Sequence, residues 1–135
     1  MTDKFSFRQS YTIGIRDINY AKHMDHLALL NYLHETRVRL LRSIKVSELD
    51  VDNQGSGLVV TELNCRYLKE CFYGDLIDVE IYLEKISATR LNFVYQVTRD
   101  GVVVANSVIT TAFISLAKKV IAIPQNLLEY TTLKQ

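Results

Sequence analysis

The sequence predicts an α+β fold in which an antiparallel sheet curls around one long helix, and three observations carry that reading. Between Leu27 and Ile44, apolar residues recur at three- and four-residue spacing (Leu30, Leu33, Leu40, Leu41, Ile44), as one face of a helix requires. Beyond the turn-rich connector Asp50 to Gly57 the pattern has period two, the signature of strands. Asp100-Gly101 sits between two of those runs and is a two-residue hairpin signal. One helix of that length against so much sheet is an α+β arrangement.

The elements follow in order. Tyr11 to Ile15 reads as the end of a first strand, and Asp17 to His26, dense in polar residues and without periodicity, as a loop. The helix from Leu27 to Ile44 has about five turns, with Asn31, His34, Glu35, Arg39 and Arg42 between its apolar positions. Asp25 stands at the N-cap position, so free N–H groups of the first turn point back at the polar loop. Leu58 to Leu68 alternates, with Val59, Thr61, Leu63, Cys65 and Tyr67 expected on one face and Val60, Glu62, Asn64 and Arg66 on the other. Leu76 to Leu83 follows the Tyr73-Gly74-Asp75 turn, and Leu91 to Thr98 presents Leu91, Phe93, Tyr95 and Val97 on one side. A long strand from Val102 to Leu116 and a short one through Val120 to Ile123, ending at Pro124, complete a sheet of five to six strands.

Composition bounds the function. With 135 residues, 48% of them hydrophobic, the chain is expected to form one domain spanning residues 1–135. Sixteen Lys and Arg against fifteen Asp and Glu, a net charge of +1, give no general drive toward nucleic acid. The longest nearly apolar run, Val102 to Ala117, is broken by Asn106, Ser107, Thr110, Thr111 and Ser115 and is shorter than the roughly 20 residues that span a bilayer. The N-terminal stretch Met1 to Arg8 lacks an apolar signal segment, so a cytoplasmic location is expected. Cys65 and Cys71 have no second Cys pair or His set to complete a zinc site and read as thiols. His23, His26 and His34 share no common helical face, and no metal is expected.

The stretch Ile15-Arg16-Asp17-Ile18-Asn19-Tyr20-Ala21-Lys22-His23-Met24-Asp25-His26, followed by His34-Glu35-Thr36-Arg37, resembles the opening of the hotdog-fold acyl-CoA thioesterases of the 4-hydroxybenzoyl-CoA thioesterase type. Their usual form is an Asp four residues before a Gly-His, then a polar turn and a helix carrying Glu-x-Arg. Gly57-Leu58-Val59-Val60, Asn64-Cys65-Arg66-Tyr67-Leu68, Tyr73-Gly74-Asp75 and the Asp100-Gly101 hairpin fall in the same family order. The resemblance covers about Phe7 to Leu128. It implies a sheet wrapped around a central helix, a homodimer that in many members pairs into tetramers, and an acyl-CoA or acyl-carrier thioester as substrate, with no cofactor.

Thioester hydrolysis needs a group that activates water and donors where charge develops on the carbonyl oxygen. The resemblance assigns the donors to the helix start, Asp25, His26 and Leu27, whose amides lie at the positive end of the dipole. It departs at the acid. Asn19 stands where most of the family has Asp, and Lys22 replaces the usual Gly; an amide is neither a base nor a nucleophile. One reading keeps catalysis with Asn19 positioning water or the thioester and His23, with Asp17, as base. Plant-type acyl-carrier thioesterases, similar in fold, use Asn and His in this way. A second reading passes the role to Glu35 or Glu62, against a plain ion pair of Glu35 with Arg37 or Arg39. A third makes the protein a non-catalytic acyl-thioester-binding module or partner subunit. Asp17 also has a bracing role open to it within its loop. Arg90, Arg66, Lys69 and Lys85 are the candidate cations for the phosphates of coenzyme A, Arg90 first because it lies in the turn where relatives carry basic residues. The His-Phe-Pro motif of hotdog dehydratases does not occur.

Overall fold

The strands are β1 (Phe7–Thr12), β2 (Gly57–Tyr67), β3 (Leu76–Lys85), β4 (Leu91–Arg99), β5 (Val102–Ile114) and β6 (Val120–Ile121); the helices are α1 (His26–Ser43) and α2 (Gln125–Leu128). This computed structural model describes residues 5–131; of the N-terminal stretch read above, Met1 to Lys4 lie outside the described residues. All pairings in the sheet are antiparallel, in the order β1-β3-β4-β5-β2, with β6 beside the end of β5.

Strict alternation gives the sheet one buried face. Ile77, Val79, Ile81 and Leu83 of β3 and Leu91, Phe93, Tyr95 and Val97 of β4 are all buried, and the register sets Val79 opposite Val97, Ile81 opposite Tyr95 and Leu83 opposite Phe93. Onto this face α1 lays Leu29, Leu33, Leu40 and Leu41, side chains worth roughly 1.5–3 kcal/mol each on burial. Two polar contacts fix its placement: the hydroxyls of Tyr11 and Thr36 lie 2.8 Å apart, and the Arg37 guanidinium rests 5.8 Å from the centre of the Phe93 ring. The helix starts one residue before the predicted boundary because Asp25 caps it, accepting from the Leu27 amide at 3.0 Å.

The structure corrects the sequence reading in four places. The first strand ends at Thr12, not Ile15: the Asp17 carboxylate accepts the Gly14 amide at 2.9 Å and draws Ile15–Asp17 into a single 3₁₀ turn. In β2 a bulge between Val60 and Glu62 adds one residue and reverses the phase. Val60 therefore shares the inward face with Leu63, Cys65 and Tyr67, whereas Val59 joins Glu62, Asn64 and Arg66 on the outer face. The strand expected to reach Leu116 stops at Ile114, and β6 is only two residues long, because Ser115 to Lys119 close a turn with Lys118 at φ 65°. Beyond Pro124, α2 is a short helix that periodicity did not reveal.

Candidate active site

The polar loop between β1 and α1 folds back on itself. The Asn19 amide donates to the His23 carbonyl at 3.1 Å and the Lys22 amide to the Asn19 carbonyl at 3.0 Å. Asn19 Oδ1 accepts from the Ala21 amide at 2.9 Å, a local turn bond typical of this side chain. That leaves the Asn19 Nδ2 group as its available donor. The turn closes because Lys22 takes φ 70°, a conformation that Gly adopts more readily than a residue with a Cβ.

Facing this loop is the segment after β2, and from Leu68 to Cys71 its backbone is tied down. The Leu68 and Lys69 amides donate to the Val104 carbonyl at 2.9 and 3.2 Å, and the Met24 amide donates to the Cys71 carbonyl at 2.7 Å. Arg99 donates to the Glu70 carbonyl at 2.7 Å and to the Asp75 carboxylate at 3.2 Å.

Between the two segments lies a cleft of about 300 Å³, its polar groups supplied by Asn19, His23, His26, Lys69 and Glu70 and its apolar wall by Met24, Tyr67, Leu68 and Cys71. The Tyr67 hydroxyl donates to the His26 carbonyl at 3.0 Å, which joins the start of α1 to the end of β2. His23 Nδ1 lies 3.2 Å from the Met24 carbonyl, and its Nε2 lies 3.7 Å from a Glu70 oxygen. Burial pushes the Cys71 thiol up, away from the thiolate that a nucleophilic cysteine needs.

The remaining candidates lie elsewhere. Asp17 accepts from Gly14 and from the Tyr32 hydroxyl, and with Glu35, Tyr11 and Tyr32 it lines a second cleft of about 330 Å³. Burial first, and then the hydrogen bond to Asp17, push the Tyr32 phenol up to about 12. Glu35 pairs with Arg39 at 2.8 Å, the ion pair weighed against its acid role, and Glu62 sits on the outer face of β2. At the helix start the Leu27 amide is taken by Asp25, so the amides of His26 and Ala28 are the first-turn donors without a described acceptor. Of the four candidate cations, Lys69 lines the cleft with His23, and Arg66 borders a depression on the outer sheet face with Asn64, Gln96 and Asn106. Lys85 ends β3 and Arg90 closes the following turn, its amide bonded to Ser87 Oγ at 3.0 Å. The cleft lies at the opposite end of β3, and a ten-residue strand spans about 30 Å. Glu70 carried no spacing signal in the sequence, because it lies just beyond the last residue of an alternating strand. Among the described residues no cluster of three or more His, Cys, Asp or Glu is placed to hold a metal, and no helix is long and apolar enough to cross a membrane.

Comparison with known proteins agrees with this architecture. A family model described as the thioesterase-like superfamily matches residues 13–130. A 1,4-dihydroxy-2-naphthoyl-CoA thioesterase from Synechocystis superposes with a TM-score of 0.85 at 18% identity, over 93% of this chain and 95% of that one. A Staphylococcus aureus protein solved in complex with CoA gives 0.84 at 19% identity, over 98% and 89%. A hypothetical protein of Aquifex aeolicus gives 0.82 at 24% identity, over 95% and 99%. At these identities the likenesses establish the fold, a six-stranded antiparallel sheet around one long helix, as in hotdog-fold thioesterases.

Proposed function

The chain belongs to the thioesterase-like superfamily, and from that premise we propose that it hydrolyses an acyl-CoA or acyl-carrier thioester in the Asn19–His23 cleft, as a relative of the 4-hydroxybenzoyl-CoA thioesterase type in which Asn19 stands in place of the usual Asp. The observation that carries this reading is that Asn19, His23 and the capped start of α1 meet at one cleft. The CoA bound to the Staphylococcus aureus neighbour and the acyl-CoA named for the Synechocystis one support a CoA thioester as the substrate class.

On this reading the thioester carbonyl oxygen receives hydrogen bonds from Asn19 Nδ2 and from the amides at the start of α1, where the helix dipole favours negative charge. His23 takes a proton from water, whose oxygen bonds to the carbonyl carbon. Collapse of the tetrahedral intermediate breaks the C–S bond, and the thiolate leaves and is protonated. Lys69 is the cation nearest the chemistry, and Arg66, Lys85 and Arg90 have no place in one chain's own cleft. A cytoplasmic location belongs to the same reading.

Release of free thiol from a panel of acyl-CoAs tests it. Wild-type protein is expected to turn over, and His23→Ala to lose most of that activity; unchanged turnover in the variant overturns the assignment. Asn19→Asp keeps the acceptor for Ala21 but removes the donor, and is expected to lower kcat; a strong rise shows that the natural protein lacks a competent base. Because Asn19 stands in place of the family acid, a binding module is the second reading, and tight acyl-CoA binding without thiol release favours it.

A further inference from the structure

We propose that Glu70 is the carboxylate of this site, holding the attacking water together with His23 and so filling the place that Asn19 leaves empty. The inference rests on the thioesterase reading and adds a residue to it. Glu70 is the one acidic side chain among the residues lining the cleft; Asp17 and Glu35 are engaged in the second cleft, with Tyr32 and Arg39.

The geometry at His23 gives Glu70 its role. The Met24 carbonyl 3.2 Å from Nδ1 can only accept, so Nδ1 carries a proton, and in the neutral form of the ring, the form that acts as a base, Nε2 is bare. That bare nitrogen faces a Glu70 oxygen at 3.7 Å, beyond direct hydrogen-bond length. A water held against both acceptors would donate one hydrogen to each. The lone pairs of that water are then free to face the cleft and the thioester carbon.

The position of Glu70 is fixed by more than its side chain. Arg99 holds its carbonyl, and its neighbours are tied by Val104 to the sheet and by Met24 to the His23 loop. The side chain is 64% exposed, so what the pinned backbone fixes is the point from which the carboxylate reaches His23.

The step balances as follows. The water oxygen bonds to the carbonyl carbon and one water proton passes to His23 Nε2, with Glu70 accepting the hydrogen bond from the other. The carbonyl π pair moves onto oxygen. Collapse breaks the C–S bond, the thiolate takes the proton from His23, and the products are a carboxylic acid and a free thiol.

The experiment measures kcat and KM for benzoyl-CoA and octanoyl-CoA with wild type, Glu70→Gln, Glu70→Asp and His23→Ala, with thermal midpoints as a check on folding. Glu70→Gln is expected to lower kcat by about 10²-fold with KM within a factor of two and the midpoint unchanged. Glu70→Asp recovers part of the rate, and Glu70→Gln combined with His23→Ala is no slower than His23→Ala alone, as for groups that act as a unit. A Glu70→Gln enzyme as active as wild type, while His23→Ala is inactive, overturns the role of Glu70 and leaves the thioesterase reading standing. Wild type inert on both probes overturns the two together.

Discussion

At the scale of single residues, the turn that carries Asn19 and His23 is held closed against a backbone cost. Lys22 sits at φ 70°, where a residue with a Cβ loses roughly 1–2 kcal/mol relative to the right-handed region. Gly removes that strain and returns part of the gain through the greater freedom of the unfolded chain. Lys22→Gly is therefore expected to stabilise the protein by about 0.5–1 kcal/mol, measured as a higher urea midpoint at constant slope. Turnover should stay near wild type, since Lys22 lines neither cleft. The replaced Gly was visible in the sequence as a departure from the family pattern. Its conformational reason was not, because the hydrogen bonds that force φ positive run between Asn19 and His23 and only exist once the loop has closed.

At the scale of elements, α1 is locked to the connector that follows it by an ion pair near the core. Arg37, with a side chain 6% exposed, meets Glu48, and His34 Nε2 lies 3.2 Å from the other Glu48 oxygen. Burial pushes the Glu48 carboxyl up, but the hydrogen bond and charge of Arg37, joined by His34, outweigh it and leave the pKa below the ordinary value. A carboxyl lowered in the folded state contributes stability that is complete above its unfolded pKa, and that is lost as pH falls through the folded one. Glu48→Gln is expected to cost about 3 kcal/mol at neutral pH, because Arg37 is left buried without its charge partner. The deficit should narrow as pH falls below about 4, as urea titrations at several pH values would show. This scale also separates what local pattern can disclose from what it cannot. The 3.6-residue period of α1, the Asp25 cap and the Asp100-Gly101 turn, with φ of 52° and 78°, are local and were legible. The bulge in β2 was not, since only pairing with Thr110 and Thr111 of β5 defines it. Glu70 was hidden for the same reason: its relation to His23 is made by two loops that meet through Met24, Cys71 and Arg99.

At the scale of the molecule, β2 is an edge that calls for a second chain. Beyond Leu58, whose amide donates to the Glu48 carbonyl, no described segment pairs with its outer side. Its inward face is also uncovered, because α1 lies over β1, β3 and β4 and leaves Val60, Leu63 and Tyr67 each nearly half exposed. A long edge of this kind invites pairing unless prolines or inward-pointing charges block it; the single proline, Pro124, is far from β2, and the two charges of the strand, Glu62 and Arg66, stand on its outer face. We expect two copies to pair edge to edge about a twofold axis, the isologous arrangement in which the β2 edge of each copy meets that of the other. Tyr67 belongs both to this edge and to the cleft, so the second copy would wall the site and 135 residues need supply only part of it. Light scattering at micromolar concentration should then give at least twice the 15.5 kDa chain mass, and the monomer mass would count against the pairing. Leu63→Lys places a charge on the uncovered face without touching a residue of the cleft. It is expected to shift the protein toward monomer and to lower kcat/KM in the same proportion, whereas a monomer of full activity would show that one chain holds the whole site.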